Sequence, residues 1–230
     1  MTSAPAPLLR RYAAWTLDAV AIGAIVVALL HRPLCEALRT CVRAIDALSQ
    51  TMAALMQHTL DLSDAPVALL QAWLADATLQ VAITALALAM TSLLATASAG
   101  FAVVALAWFT AFEGARWQAT PGKRLLRLRV VDDDGLPPGF VRSGLRNGAG
   151  LLSWLSFNLG HLLAARGPRH QALHDRIAGT RVVLHDPAPM PLAARLWLTL
   201  QPAAFFFAVA LWMRFLDQRM TAALDATLGT

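Results

Sequence analysis

Charge is what this chain has least of. Asp, Glu, Lys and Arg make up 14% of its 230 residues, against about 25% in an ordinary soluble domain, while 57% are hydrophobic and the mean hydropathy is +0.55. A water-facing surface is hard to build from that composition, which argues against a soluble enzyme and for a membrane protein. Cysteine is almost absent. Cys35 and Cys41 are six positions apart, about 240° around a helix, so neither an intrahelical disulfide nor a zinc site is expected. No aromatic-interleaved basic stripe accompanies the net charge of +5 and pI near 10.5, and nucleic acid is not an expected partner.

Long apolar runs are present instead. The first, from about Tyr12 to Leu30, follows Arg10 and Arg11 and stops at His31, Arg32 and Pro33; it is long enough to cross a hydrocarbon core of about 30 Å. Asp18 interrupts it and no small-residue cleavage site precedes His31, so an uncleaved span is expected rather than a signal peptide. Leu34, Leu38, Val42, Ile45, Leu48, Met52 and Leu55 then recur at three and four, the pattern of an amphipathic helix packed on the protein or lying in the interface. Ser63, Asp64 and Pro66 signal a new helix start. Thr78 to Phe112 carries no charge and as one helix would reach about 52 Å, so its beginning is expected to project beyond the membrane. Thr96 to Gly100 is a small-residue stretch where it could kink.

Glu113 to Arg146 holds the densest charge and is expected on the cytoplasmic side. Leu125 to Asp132 alternates apolar residues with arginine, and Gly179 to Leu184 reads similarly. Two such strands satisfy their edges most simply by pairing with each other. The stretch from Gly144 to Ala165 lies between them, interrupted by Asn147, Gly148, Gly150, Asn158 and Gly160. A re-entrant or interfacial hairpin keeps the strands together; one ordinary crossing is the alternative. A last apolar block, Leu196 to Met213, is long enough to span. The expected fold is an all-α membrane protein, a small bundle of transmembrane helices with a short cytoplasmic two-stranded β-element.

Three motifs in order carry a resemblance. Arg11 and Asp18 stand two helical turns apart; Thr120-Pro121-Gly122-Lys123-Arg124 leads into the first strand; Leu173-His174-Asp175-Arg176 precedes Gly179 and the second. The chain resembles the RDD family of bacterial membrane proteins, whose naming arginine and aspartates fall on Arg11, Asp18 and Asp175. The resemblance covers residues 8–184, including an amphipathic insertion at 34–76, and leaves 185–230 as an extension with its own span. It implies a multi-pass protein of the bacterial inner membrane with a cytoplasmic N-terminus. Exchange of monovalent cations for protons has been suggested for some members. The first expectation is a small transporter or monovalent cation/proton exchanger in which Asp18 binds the ion or proton and Arg11 and Asp175 tune or gate it. A non-catalytic scaffold or accessory subunit, meeting a partner through 34–76, is the competing expectation. A homo-oligomer or another membrane protein is the expected partner beside the bilayer, with no cofactor and no catalytic residue.

Asp18 is either a proton- or cation-binding carboxylate or a structural one paired to an arginine such as Arg11, Arg116 or Arg176. Asp175 reads as a turn carboxylate meeting N–H groups or an arginine. Glu113 is the other carboxylate near the membrane, with Arg116 as its surface partner. Lys123, Arg124, Arg127 and Arg129 either touch anionic head groups or simply set orientation. The phosphate-loop pattern fails at Gly122-Lys123, because Arg124 replaces the required Ser or Thr. His170 and His174 lack a third metal ligand, and Ser143, Ser153 and Ser156 near His161 lack a nucleophile-elbow motif.

Overall fold

The computed structural model describes residues 4–60, 66–155, 160, 163–165, 170–186 and 188–228. The helix-start residues Ser63 and Asp64, and Ser156, Asn158 and His161, lie outside the described residues. In chain order come α1 (Leu8–Leu60), α2 (Pro66–Ala75), α3 (Ala77–Gly114), α4 (Pro121–Leu125), β1 (Leu128–Asp132), α5 (Gly139–Leu155), a 3-10 turn (Leu163–Ala165), α6 (Leu173–Ile177), β2 (Thr180–Leu184) and α7 (Leu192–Leu228). Three helices, α1, α3 and α7, are long and apolar enough to cross a membrane. No residue of the apolar window of α7 is buried in the protein, so lipid is its solvent. The chain is a multi-pass membrane protein.

Two compact units are formed, Met1–Leu29 with Ala99–Gln201, and Leu30–Ser98 with Pro202–Thr230. The chain passes between them inside α1, α3 and α7. In α1 the passage coincides with a kink at Leu30 (φ −111°, ψ 23°); the ring of Pro33 presses on the carbonyl of Leu29 and removes a backbone donor. In α7 it coincides with Pro202.

In the first unit, β1 and β2 pair antiparallel with Asp132 opposite Thr180 and Leu128 opposite Leu184. The N-terminal segment adds to the outer edge of β2, through Ala6 N–H to the Val182 carbonyl at 3.1 Å and Leu184 N–H to the Ala4 carbonyl at 3.0 Å. Strand edges are thereby satisfied within the fold. Ala6, Ala13, Ala14, Leu126, Leu128, Val130, Val182 and Ala194 form the apolar core. Only Arg129 of β1 is not buried, so the wet face is narrower than the alternation implies. Because Asp132 and Thr180 are partners, the segment between them starts and ends at the same place and makes no net crossing.

In the second unit α1 buries Cys41, Ala44, Ile45, Ser49 and Ala53. α3 faces inward with Leu79, Ala82 and Ala89, and Leu86 and Leu93 pack on the cluster of Cys41, Ala44 and Ala89. The three-four spacing is that of helices in close contact through small side chains. Asp46 and Arg219 (3.0 Å) tie α1 to α7. The stripe read from the sequence holds in part: Ile45 is buried and Leu34, Val42, Leu48, Met52 and Leu55 are half-buried, but Leu38 is 54% exposed and the other buried positions of the seam are Cys41, Ala44, Ser49 and Ala53. α2 and α3 are also separate helices, since Asp76 caps α3 by accepting the Leu79 N–H at 2.9 Å.

Candidate functional site

Asp18 projects from α1 into the first unit and is 1% exposed. Its carboxylate accepts hydrogen bonds from the Thr120 hydroxyl, the Gly122 N–H at 2.9 Å and the Trp108 indole N–H at 3.4 Å. These donors are neutral, so the arginine partner expected from the sequence is replaced by the first turn of α4. The Thr-Pro-Gly-Lys motif now has a reason at each position. Thr120 caps α4, accepting the Lys123 N–H while donating to Asp18. Pro121 opens the helix where no N–H is needed. Gly122 has no room for a side chain: a Cβ there would collide with the Ala14 carbonyl oxygen and lie 2.9 Å from the Asp18 carboxyl carbon. Lys123 turns inward to Glu113.

Glu113, in the last turn of α3, is fully buried. Besides Lys123 it holds the Arg146 guanidinium at 2.6 Å and the Asn147 amide at 3.2 Å. Arg146, from α5, extends the chain of charges through its Nε to Asp175 at 2.9 Å. The second oxygen of Asp175 accepts from Arg11 at 2.7 Å and from the Ala172 N–H at 3.0 Å. Arg11 also donates to the His170 carbonyl at 2.6 Å. His174 lies 3.5 Å from Asp175 and 3.4 Å from Arg146. Arg11, Lys123 and Arg146 thus balance Asp18, Glu113 and Asp175, three charges against three, in one buried lattice. Gly179, at φ +60°, supplies the left-handed turn that carries the chain from α6 into β2.

Burial by itself would push the Asp175 carboxyl up; Arg146, Arg11 and His174 override it and hold the group well below the usual carboxylate range. Burial likewise lowers the Lys123 ammonium, with Glu113 opposing. A depressed carboxylate contributes stability above its unfolded value of about 3.9, and that contribution is lost as pH falls through the folded value. Melting temperature is therefore expected to be insensitive to Asp175 from neutral pH to about 5 and to fall below about 4. In an Asp175→Asn variant this part of the acid slope should vanish.

The structure brings Arg11, Asp18, Asp175 and Glu113 together and leaves Arg116 and Arg176 exposed outside the lattice. Lys123 is buried, whereas Arg124 is exposed with its guanidinium 4.9 Å over the Trp117 ring. Arg127 makes an exposed pair with Asp186 at 2.6 Å, and Arg129 is half-buried in β1. The sequence reading passes over Arg146, the centre of the lattice. A signal existed: Ser143, Arg146, Ala149 and Ser153 share one face of α5, opposite Phe140, Val141 and Leu145. Among the described residues no group of His, Cys, Asp and Glu is arranged to hold a metal ion.

Arg11, Asp18, the Thr-Pro-Gly-Lys turn and Asp175 all fall inside a match to the RDD family that runs over residues 5–179. The chain belongs to the RDD family. No curated protein and no solved structure matches it. The match includes residues 34–76 and stops at the glycine turn before β2, so α7 lies beyond it. In this RDD protein Arg11 and Asp175 are bonded to each other. Asp18 instead binds the α4 turn, and Lys123 and Glu113, with Arg146, connect the two.

Proposed function

We propose that this RDD protein is a non-catalytic membrane scaffold or accessory subunit. The observation that carries the reading is the state of Asp18. A carboxylate that carries a proton or a cation must meet water and have an oxygen free to receive its cargo, whereas Asp18 is 1% exposed and committed to three donors. Its work is to fasten the α4 turn, and through Lys123 and Glu113 the whole lattice, to the first span. The partner surface on this reading is the 34–76 segment, where Leu38, Val67, Leu70 and Leu74 are all more than half exposed. Arg10, Arg11, Lys123, Arg124, Arg127 and Arg129 gather in the unit that holds the strands, which supports a cytoplasmic N-terminus in a bacterial inner membrane.

Reaction of the reconstituted protein with a hydrophobic carbodiimide tests this. Asp18 is expected to stay unmodified at neutral pH, with the Asp18→Asn variant as the mass-spectrometric reference. Modification of Asp18 that Na⁺, K⁺ or Li⁺ suppresses would support a monovalent cation/proton exchanger instead.

A further inference from the structure

α5 is turned inside out relative to a helix packed in water. Ser143, Arg146 and Ser153 face the protein and are buried, while Phe140, Val141 and Leu145 are 61%, 87% and 53% exposed. A water-facing amphipathic helix has the opposite polarity. The apolar outer face needs an apolar solvent, and the hydrogen bonds of the inner face say at what depth it sits.

Arg146 is bonded to Glu113, and Glu113 lies between Phe112 and Trp117, whose rings stack at 5.7 Å. Asp175, the other partner of Arg146, is bonded to Arg11, which directly precedes Tyr12; Tyr12 stacks on Trp15 at 6.5 Å. Trp197 of α7 donates to Thr16 at 2.9 Å. α1 carries Tyr12 and Trp15, α3 carries Trp108, which donates to Asp18, and α7 carries Trp197, with Trp117 just past the end of α3. Trp or Tyr rings thus gather at this end of the unit, as they do at the head-group level of membrane helices. Phe140 itself lies against the end of α3, its Cα 2.9 Å from where a Cβ on Gly114 would stand. α5 is tethered at the aromatic belt, where the lipid that surrounds the spans reaches its outer face. Basic side chains stand at the same level: Arg116 and Arg124 are exposed next to and over Trp117, while Arg142 is held by Asp132 at 2.8 Å.

We propose that α5 is an interfacial helix that binds anionic phospholipid. Phe140, Val141 and Leu145 enter the head-group and acyl boundary, to a depth of about 5–10 Å, and Arg116 and Arg124 meet the head-group phosphates. α5 then lies in the membrane surface rather than crossing it, with Arg146 on its dry side. The inference goes beyond the scaffold reading and holds whether or not the protein moves ions.

The test uses the full chain in vesicles, with Cys35 and Cys41 replaced and an environment-sensitive fluorophore at Val141→Cys or, as the water-side reference, at Asp134→Cys. Unchanged melting temperatures establish that both variants fold. Lipids brominated near the head group are expected to quench the Val141 probe, and aqueous iodide is expected not to; the Asp134 probe should behave in the opposite way. Replacing part of the phosphatidylcholine by phosphatidylglycerol should increase bromine quenching at Val141, and Arg116→Gln with Arg124→Gln should abolish that increase. Iodide access to the Val141 probe would overturn the proposal. So would shielding from both quenchers that strengthens with protein-to-lipid ratio, which would make a second copy the occupant. Equal quenching with and without phosphatidylglycerol would overturn the anionic preference.

Discussion

Replacing Arg146 by methionine is expected to cost the fold about 3–5 kcal/mol, the range for removing one partner from a buried charge pair. The side chain is 4% exposed and spans two fully buried carboxylates, Glu113 at 2.6 Å and Asp175 at 2.9 Å. Methionine has similar bulk but leaves both carboxylates short of a cation, and the cost is that of desolvated charge rather than of lost volume. Lys123 and Arg11 still neutralise part of it, which sets the estimate at a few kcal/mol rather than tens. The measurement is thermal unfolding in detergent, with a fall in melting temperature on the order of 10 °C. Adding Asp175→Asn to Arg146→Met should recover part of the loss, since Arg11 and Lys123 are then matched by Asp18 and Glu113, two charges against two, and the Lys123–Glu113 pair is kept. A single variant as stable as the parent would show that Arg146 is not held as described.

Gly122→Val is the second large effect. The added Cβ would meet the backbone carbonyl of Ala14 and the carboxyl group of Asp18, and neither can move without opening the Gly122 N–H to Asp18 bond. Overpacking alone costs about 1–3 kcal/mol, and leaving a buried carboxylate short of a donor adds about 1–3 kcal/mol. Gly23→Ala, in the same first span, is the matched control. No described atom lies within 4 Å of its Cβ, and an alanine there should leave stability unchanged or raise it by up to about 1 kcal/mol. Comparing the two variants separates close approach from any general dislike of a bulkier helix residue.

Most of the architecture was legible because it follows from hydropathy and backbone satisfaction. The three long helices came from uncharged length, and the β1–β2 pairing from two short strands that had no other partner. From the sequence alone one ordinary crossing between the strands stayed open beside a re-entrant hairpin; the register that sets Asp132 opposite Thr180 is what speaks against it. What stayed hidden depended on side-chain direction. Asp18 looked as though it needed an arginine, because a buried carboxylate suggests a counter-charge; neutral donors at the start of a short helix do the work, and a five-residue helix leaves almost no periodicity to detect. Arg146 was hidden by its neighbours, since an arginine in a glycine-rich charged segment reads as a solvated one. The seam of the second unit was read only in part because leucines dominate a hydropathy reading: Ile45 was found, while the Cys, Ala and Ser that close helix contact selects were not. Lys123 sat in a run of basic residues that otherwise face outward, and only the position of Glu113 distinguishes it.

The most direct test of the scaffold reading is ion flux. Purified protein in sealed liposomes with an internal pH dye, challenged with external Na⁺, K⁺ or Li⁺, is compared with the Asp18→Asn variant. Wild type and variant should both show no cation-dependent proton movement, and the variant should melt at a lower temperature because one oxygen acceptor has become a donor facing donors. Cation-dependent proton movement in wild type that disappears in an Asp18→Asn protein of unchanged stability would contradict the reading and place Asp18 in a transport pathway.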